Sequence, residues 1–343
     1  MHPKHNRVNC RKKGVSCLNP YIIGMMTGSG FHLSLITSLI FLFSLKPFAQ
    51  QKWVNVDSLF QPLPPNFHVY KTTENLDGKP FIAYYAEAKL QDRSLVFSTD
   101  TTKDRRITPL KFYEKNNKPL LVVNCTFFSF ETNRSLNVVI KDGEMVALNN
   151  HSLPMRGKDT FQYRHPVGSA IGISKKRKAD VAWLFSDSSV KKPFSFQEPV
   201  NFIKDSSVII SAKSFKAKKK WKMKTAVGGG PVLLQDGVIR ITNNEELKFA
   251  GKAIDDKHPR TGMGYTGDGR LIIMVIEGRH PGIAEGATLT QEARLFKDLG
   301  CIEALNLDGG GSSCMLINGK ETITPSEKSG ERPVPAVFII SRN

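Results

Sequence analysis

Apolar and β-branched residues come in short runs separated by turn residues along most of the chain. Three such runs, at 67–73, 80–90 and 94–99, predict β-strands, because aromatic and β-branched side chains favour extended backbone. The unbroken apolar run at 120–124 is typical of a strand buried on both faces. Just before it, residues 108–117 have the opening proline and apolar spacing of a short helix.

Four Asp-Gly or Asn-Gly pairs stand between apolar runs, at residues 142–143, 236–237, 268–269 and 318–319. These pairs favour type I′ turns, in which both central residues have positive φ. Their unequal spacing excludes a fixed repeat. They predict several β-hairpins, and so an α+β fold with a mixed, mostly antiparallel sheet and few helices.

One helix is well marked by its ends. Thr288 and Gln291 form a capping box, apolar residues between them and the far end share one face, and Gly300 is placed to end the helix. The segment 301–307 then predicts a strand that ends at Asp308. Functional side chains are often found where a strand ends, so Asp308 is a candidate.

The first 49 residues have the pattern of an export signal peptide. A basic region precedes roughly 15 apolar-rich residues, and cleavage is predicted after Ala49. A membrane anchor is the alternative, although the stretch is short for a span of about 20 residues. The proline- and glutamine-rich residues 50–66 predict a linker, and residues 67–343 a single domain. We expect an exported bacterial protein, periplasmic or extracellular, whose mature chain does not span the membrane.

The chain is strongly basic, with a formal net charge of +18 at pH 7. Residues 1–49 carry six basic and no acidic side chains, so without them 43 basic and 31 acidic residues leave +12. Two lysine-rich runs, at 175–178 and 216–220, lack the interleaved aromatic residues of a nucleic-acid groove, and we expect no nucleic-acid partner. They are either solvated hairpin tips or a source of attraction for an anionic glycan.

The cysteines after residue 49 leave two interpretations open. Cys125, Cys301 and Cys314 match neither a disulfide framework nor a zinc site in number or spacing. They are either three buried small residues or, in an oxidising compartment, a Cys301–Cys314 bridge with one free thiol.

Two glycine-rich segments, at 309–311 and 228–230, are candidate binding loops. Glycine weakens a regular element by roughly 0.5–1 kcal/mol relative to alanine, so three in a row need another role. Backbone N–H groups in a glycine-rich turn form a concavity for anions, and the hydroxyl groups of Ser312 and Ser313 can add donors. A second triple glycine leads into another predicted strand at 231–234. A flexible turn is the alternative for the segment at 308–313.

Charged side chains gather at one end of a predicted hairpin. Arg260 and Thr261 open its first strand, and Glu277 and Arg279 close its second. A type I′ turn at 268–269 would place residue 260 opposite residue 277. The alternative is an exposed Arg-Glu pair worth less than about 1 kcal/mol.

A polar and aromatic segment follows the buried strand that ends at residue 124. Asn124 can orient a polyhydroxylated ligand, and Phe127 or Phe128 can stack on the apolar face of a sugar, unless both rings belong to the core. Together with the carboxylates, arginines and glycine loops, these residues suit a glycosidic bond next to a phosphate. Carboxylates stabilise an oxocarbenium-like transition state, while arginines and backbone donors hold phosphate oxygens.

Six segments in a fixed order resemble the motif set of the phosphodiester glycosidase family: NCTFF, VGGGPVLL, HPRTGMG, IEGR, LNLDGGGSS and ERPVP. The resemblance runs from about residue 80 to the C-terminus and is strongest at 225–337. It implies a hydrolase that cleaves a sugar 1-phosphodiester into a free sugar and a phosphomonoester. Four residues depart from the family's pattern, where glycine, alanine, aspartate and threonine are usual: Cys125, Gly262, Glu277 and Cys314.

We therefore expect an exported glycosidase acting on phosphodiester-linked sugars in envelope or extracellular glycans. Asp308 and Glu277 are the expected catalytic carboxylates, and Arg260 and Arg279 the expected phosphate clamp. The remaining residues expected to line the substrate site are Asn124, Thr261, Gly229, Gly230, Gly309, Gly310, Gly311 and Ser312.

Other functions remain open at this point. A non-catalytic protein could bind anionic or phosphorylated glycans in the same pocket. An acyl hydrolase would use Ser312 or Cys314 with His258 or His280, although the chain has no Gly-x-Ser-x-Gly elbow. No cofactor is required, but two carboxylates with water ligands would suit Ca²⁺ or Mg²⁺. The sequence does not indicate an oligomeric state.

Overall fold

Four antiparallel sheets form most of the computed structural model, which describes residues 50–155, 162–205 and 219–343. The predicted signal peptide at 1–49 lies outside the described residues, as does part of the lysine-rich run at 216–220. The chain from Ala49 to Asn343 is one compact unit. Within the described ranges, no helix is long and apolar enough to cross a membrane.

The elements of the described residues are short. The strands, in chain order, are β1 Val54–Asn55, β2 Phe67–Thr72, β3 Ala83–Lys89, β4 Leu95–Thr101, β5 Leu121–Asn124, β6 Val139–Lys141, β7 Glu144–Ala147, β8 Leu153–Pro154, β9 Tyr163–His165, β10 Gly168–Ser174, β11 Ala179–Phe185, β12 Phe194–Phe196, β13 Ile203–Asp205, β14 Lys219–Lys220, β15 Met223–Gly228, β16 Val232–Gln235, β17 Val238–Ile239, β18 Arg260–Thr266, β19 Arg270–Ile276, β20 Cys301–Asn306, β21 Met315–Ile317, β22 Lys320–Glu321 and β23 Ala336–Arg342. The α-helices are α1 Pro109–Lys115, α2 Asn243–Glu246 and α3 Leu289–Asp298, and the 3₁₀ turns are Asp57–Leu59, Gly251–Ile254 and Gly310–Ser312.

Two large sheets contain most of these strands. One has eight strands in the order β1-β2-β3-β19-β18-β20-β16-β17, and the other has seven in the order β14-β12-β11-β10-β15-β6-β7. A five-stranded sheet, β22-β21-β5-β23-β4, and a three-stranded sheet, β13-β9-β8, complete the set. The predicted hairpins and scarcity of helices are confirmed. The fold is mostly β, however, and the strand pairs among the described residues are all antiparallel, so the mixed sheet of the α+β prediction is not found there.

Three of the four predicted hairpin turns have the expected geometry. Both central residues have positive φ in the turns at 142–143, 236–237 and 318–319, as type I′ requires. In the turn at 268–269 only Gly269 has positive φ, at +87°. Its N–H donates to the Thr266 carbonyl, so this loop uses three residues instead of two. The longer loop shifts the register by one residue and puts Arg260 opposite Ile276, which corrects the predicted pairing with residue 277.

Helix α3 forms as predicted and supports the strand that carries the site. Thr288 and Gln291 make both hydrogen bonds of the capping box, and Gly300 follows the helix with a φ of +80°. The apolar face of α3, including Leu289 and Phe296, is buried in one hydrophobic cluster with residues of β19 and β20. The helix therefore packs against the eight-stranded sheet and leads directly into β20.

Residues 50–66 pack on the domain, contrary to the prediction of a linker. β1 pairs with β2, Gln51 donates to Thr72 Oγ1, and Phe60 is only 3% exposed in the largest hydrophobic cluster. The proline-rich composition hid these contacts, because each depends on residues farther along the chain. The three cysteines of the described chain are free and buried, which favours small core residues over a disulfide.

Candidate active site

Asp308 lies where two sheets meet. Its own N–H donates to the Cys125 carbonyl (2.8 Å), just beyond β5 of the five-stranded sheet. The preceding residue, Leu307, donates its N–H to the Thr261 carbonyl (2.7 Å) in β18 of the eight-stranded sheet. Two backbone bonds to different sheets therefore fix where the acid side chain starts.

Pro259 joins the three segments that carry the predicted charged residues. Its carbonyl accepts the Gly310 N–H at 2.8 Å. A Cβ added at Gly309 would lie 2.7 Å from this carbonyl oxygen, and a Cβ added at Gly278 would lie 2.8 Å from the Pro259 nitrogen. The backbone of the segments at 259–261, 277–280 and 308–312 thus comes together at one place.

The carboxyl group of Asp308 is poorly satisfied. Oδ2 is enclosed by protein and has no hydrogen-bond partner in the described part of the chain. Burial raises the pKa of Asp308 from its ordinary value of 3.8 to about 7, although a hydrogen bond from Ser312, the charge of Arg332 and the Gly309 N–H oppose the rise. Near neutral pH the side chain can therefore hold a proton and give it up, as a general acid must.

Arg332 is a site residue that was not among the predicted ones. Its Nη1 donates to Ser312 Oγ (3.3 Å), and Ser312 also hydrogen-bonds Asp308. Its Nε donates to Glu327 Oε1 (2.7 Å), which fixes the guanidinium plane. A Cβ at Gly311 would overlap with Arg332 Nη2, so the absence of a side chain there admits the guanidinium. Arg332 belongs to the ERPVP motif, which was the available signal.

Arg279 provides a second guanidinium beside the same turn. It is exposed and has a φ of +64°, the left-handed region that glycine usually occupies. Gly310 has a φ of +61°, and a Cβ added there would lie 3.0 Å from Arg279 Nη2. The glycine turn thus has one arginine against Gly310 and another against Gly311, an arrangement suited to phosphate oxygens.

Arg260 does not join this pair, which corrects its predicted role in the clamp. Its side chain is buried, and it donates to the carbonyls of Ala287 (2.9 Å) and Asp256 (3.1 Å). Burial lowers the pKa of Arg260, and the charge of Glu292 opposes the change. Burial raises the pKa of Glu292 to about 8, against the charge of Arg260. Both residues are buried, and neither oxygen of Glu292 has a hydrogen-bond partner among the described residues.

Both oxygens of Glu277 are engaged by protein groups, so we expect this predicted catalytic carboxylate to act through one of those groups. Its side chain is buried, with Oε1 3.0 Å from His280 Nδ1 and Oε2 accepting the Thr324 N–H at 2.9 Å. His280 is half-buried. If the carboxylate accepts from Nδ1–H, the imidazole keeps a lone pair on Nε2 and can accept a proton.

Asn124 and Thr261 are buried and bond to each other, so they support the Asp308 loop from behind. Thr261 Oγ1 donates to Asn124 Oδ1 (2.9 Å), which also accepts the Cys314 N–H (3.0 Å). The Asn124 amide donates to the Asp308 carbonyl. All three bonds join separate segments, and they bind the loop at both ends.

Gly229 and Gly230 do not supply anion-binding N–H groups, which corrects that prediction. Their N–H groups donate to the carbonyls of Ser169 (3.0 Å) and Asn306 (2.8 Å), so neither is available to a ligand. Both glycines are buried. The segment serves close packing against β20, because a Cβ at Gly229 would overlap with the Asn306 carbonyl oxygen.

The acyl-hydrolase alternative finds no support in the geometry. Ser312 and Cys314 are both buried, and within the described residues their side chains bond Asp308, Arg332 and Glu331 but no histidine. Burial also raises the pKa of the Cys314 thiol, which disfavours the nucleophilic thiolate. Across residues 50–155, 162–205 and 219–343 no cluster of three or more His, Cys, Asp or Glu side chains could hold a metal. The predicted divalent cation remains untested.

In a mostly β fold, a half-buried acid with an enclosed Oδ2 thus lies beside two guanidinium groups, an arrangement suited to an anionic ester. The model of the phosphodiester glycosidase family matches residues 117–341, and the chain belongs to this family. This supports a glycosidase-type hydrolytic function and confirms the resemblance found in the motifs.

Individual relatives match over shorter stretches. A SPbeta prophage-derived uncharacterized protein of Bacillus subtilis, YomE, is 44% identical over 64 residues, 19% of this chain and 10% of the relative. Mouse N-acetylglucosamine-1-phosphodiester alpha-N-acetylglucosaminidase is 26% identical over 99 residues, 29% of this chain and 19% of the relative. The chain thus spans less than a fifth of the length of each of these curated relatives.

Three solved structures share the fold. A hypothetical protein from Synechocystis has a TM-score of 0.59 at 13% identity, over 86% of this chain and 69% of the other. The zebrafish N-acetylglucosamine-1-phosphodiester alpha-N-acetylglucosaminidase catalytic domain, auto-inhibited by its pro-peptide, has 0.53 at 20% identity, over 86% and 89%. A putative exported protein from Burkholderia pseudomallei has 0.50 at 16% identity, over 77% and 74%.

Proposed function

We propose that this chain is an exported glycosidase that hydrolyses the bond between a sugar C1 atom and a phosphodiester in envelope or extracellular glycans. The observation that carries the proposal is Asp308, a half-buried acid with an enclosed Oδ2 and a pKa of about 7, beside the guanidinium groups of Arg279 and Arg332. Breaking this bond develops positive charge on the sugar ring and negative charge on the departing phosphate. A proton donor and two guanidinium groups stabilise the negative charge on the phosphate.

The proposed reaction assigns one task to each group. The bond between C1 and the bridging oxygen breaks, and its electron pair leaves with the phosphate as a monoester. Arg279 and Arg332 hold the phosphate oxygens, and Asp308 gives its proton to the departing oxygen. Water adds a hydroxyl group to C1 and loses a proton to His280, which Glu277 orients through Nδ1. Glu277 is then a positioning residue, since both its oxygens already accept hydrogen bonds.

Three observations support the substrate class and the location. The mouse and zebrafish relatives are named for a sugar 1-phosphodiester, and the Burkholderia protein is described as exported. The charge of +12 outside the predicted signal peptide, from 43 basic and 31 acidic residues, favours an anionic glycan. The apolar stretch within residues 1–49 supports export.

Product analysis in ¹⁸O-labelled water tests the reaction. The full chain is incubated with a sugar 1-phosphodiester whose second ester is a chromogenic phenol. A glycosidase puts ¹⁸O into the free sugar and leaves the phenyl phosphate, so colour appears only after a phosphatase is added. Asp308→Asn should abolish this release, whereas Asp236→Asn, in an exposed hairpin turn, should not.

Two other results would contradict the proposal. Direct release of the phenol with ¹⁸O in the phosphate would show phosphodiesterase chemistry. Binding of the substrate without release of any product would favour the alternative, a non-catalytic protein for anionic or phosphorylated glycans. Export is tested separately by fractionating cells that express the full chain, and an unprocessed chain in the cytoplasm would contradict it.

A further inference from the structure

A further cation, Lys248, lies in a cleft next to the Asp308 loop. The cleft has a volume of about 230 Å³, and the rings of Phe127 and Phe249 form part of its wall, with centroids 5.9 Å apart at 70°. Lys248 lines the same cleft, with Nζ 5.2 Å from the centroid of the Phe127 ring. None of these three residues has a role in the reaction proposed above.

The ammonium group of Lys248 contacts the Phe127 ring but has no anionic partner in the described part of the chain. Among the described residues it takes part in no recorded hydrogen bond or ion pair, and its nearest carboxylate, Glu246, is already saturated. Five donors bond the Glu246 oxygens at 2.6–3.2 Å: Ser169 N, Ser169 Oγ, Trp183 Nε1, Val232 N and Thr242 Oγ1. Burial lowers the pKa of Lys248, and the charge of Glu246 opposes the change only in part. Lys248 is half-buried and its side chain lines the cleft, so an anion that enters the cleft can pair with the ammonium group.

The backbone holds Lys248 in this position. Asn243 bonds both the N–H and the carbonyl of Phe249 at 2.9 Å, and the Lys248 N–H donates to the Asn243 carbonyl at 3.3 Å. Leu247 turns the chain with a φ of +52°. A Cβ at Gly230 would overlap with Lys248 Cε, so the lysine stem lies directly on this glycine. The cation is therefore placed before any ligand arrives, which lowers the cost of binding.

The cleft and the catalytic loop share a wall. The guanidinium of Arg260 lies 5.8 Å from the centroid of Phe249, and the Arg260 Cα would lie 3.4 Å from a Cβ at Gly309. On the other side, Cys125 accepts the Asp308 N–H two residues before Phe127. The cleft is thus lined by residues of segments that contact the acid loop or the strand next to it, so a ligand in the cleft lies beside that loop.

We propose that this cleft is an anion subsite for the sugar itself, in which Lys248 pairs with a carboxylate or phosphate on the ring and Phe127 and Phe249 contact the ring's apolar face. The inference rests on the proposed function for its place in the reaction, since Arg279 and Arg332 are taken by the scissile phosphate. The preferred substrate then carries a second negative charge. Aromatic faces beside one fixed cation suit an acidic pyranose better than a free inorganic anion.

Binding measurements test the subsite without any need for turnover. Glucose, glucuronate and glucose 6-phosphate are titrated calorimetrically into the full chain, into Lys248→Met and into Lys252→Met. Methionine keeps most of the lysine stem, and Lys252 is an exposed lysine on the same segment. We expect at least one anionic sugar to bind about tenfold tighter than glucose, and this preference to vanish in Lys248→Met alone. Glucuronate and glucose 6-phosphate distinguish a carboxylate from a phosphate.

Hydrolysis of the matching neutral and acidic sugar 1-phosphodiesters provides the second measurement. Loss of the charge preference in kcat/KM in Lys248→Met, with turnover of the neutral substrate kept, supports the subsite. A preference that is unchanged in Lys248→Met overturns it, even if hydrolysis is confirmed. Conversely, Lys248-dependent binding without hydrolysis of any phosphodiester supports the subsite and contradicts the proposed function. Thermal unfolding of the two variants checks that both are folded.

Discussion

Replacing Asp308 by asparagine should change the way stability depends on pH. The raised pKa means that the folded chain prefers the protonated acid, whereas the unfolded chain ionises near 3.8. Between these two values the folded state binds the extra proton, so the free energy of unfolding falls as pH rises. A rise of the pKa from 3.8 to about 7 corresponds to about 4 kcal/mol, all of it lost above pH 7.

Asparagine is neutral at every pH and cannot lose this stability. We therefore expect Asp308→Asn to gain on the wild type by up to about 4 kcal/mol between pH 4 and pH 8. The amide of the variant has no partner at the position of Oδ2, and an unsatisfied buried group costs about 1–3 kcal/mol. The stability gained at any single pH is smaller by this amount. The change with pH is thus a cleaner measure than either end point.

Urea unfolding followed by tryptophan fluorescence at several pH values gives the required free energies. Subtracting the wild type from the variant cancels groups that titrate in both chains, including Glu292, whose pKa is about 8. Asp236→Asn, in an exposed turn, is the matched control and should give a flat difference. A difference for Asp308→Asn that is also flat from pH 4 to pH 8 would refute the claim that burial keeps this acid protonated.

Three further predictions concern activity on a sugar 1-phosphodiester. The kcat/KM of the wild type should fall above pH 7 as Asp308 loses its proton, which a pH-rate profile would show. Arg332→Lys keeps the charge but loses the planar guanidinium that bonds Ser312. We expect kcat/KM to fall about 10–100-fold, which corresponds to the loss of one charged hydrogen bond. Arg134→Lys, at an exposed ion pair, is the control and should have no effect. Gly311→Ala should displace the end of the Arg332 side chain and lower kcat/KM with little change in Tm, whereas Gly267→Ala, where an added Cβ meets its nearest atom at 3.9 Å, should change neither.

Local signals in the sequence were sufficient for part of this structure. The capping box of α3 and three type I′ turns depend on residues within a few positions of one another, and all of them form as predicted. The order of motifs likewise identified the family. The position of Asp308 at the end of a strand followed from the helix and strand that precede it.

Side-chain directions depended on distant partners and were missed. Arg260 stands in a site motif, but carbonyls of the segments at 256 and 287 bind its guanidinium. Arg332 lies at the site instead, because Gly311 leaves room for its guanidinium and the hydroxyl of Ser312, 20 residues earlier in the chain, accepts a hydrogen bond from it. Residues 50–66 look like a linker by composition because the partners of Gln51 and Phe60 lie outside that segment.

The unfavourable contribution to the free energy of folding at the site comes from the Asp308 carboxyl group, and the favourable contributions come from hydrogen bonds to the backbone of its loop. Oδ2 of Asp308 is held away from water and has no hydrogen-bond partner in the described part of the chain, yet the loop that carries it is fixed by bonds to Asn124, Cys125 and Pro259. A free acid on a loose loop would turn toward water and ionise near its ordinary pKa. Because these anchors involve neither carboxyl oxygen, the proton can leave during a reaction without releasing the loop. The same separation explains why asparagine at position 308 should abolish turnover while it leaves the fold intact.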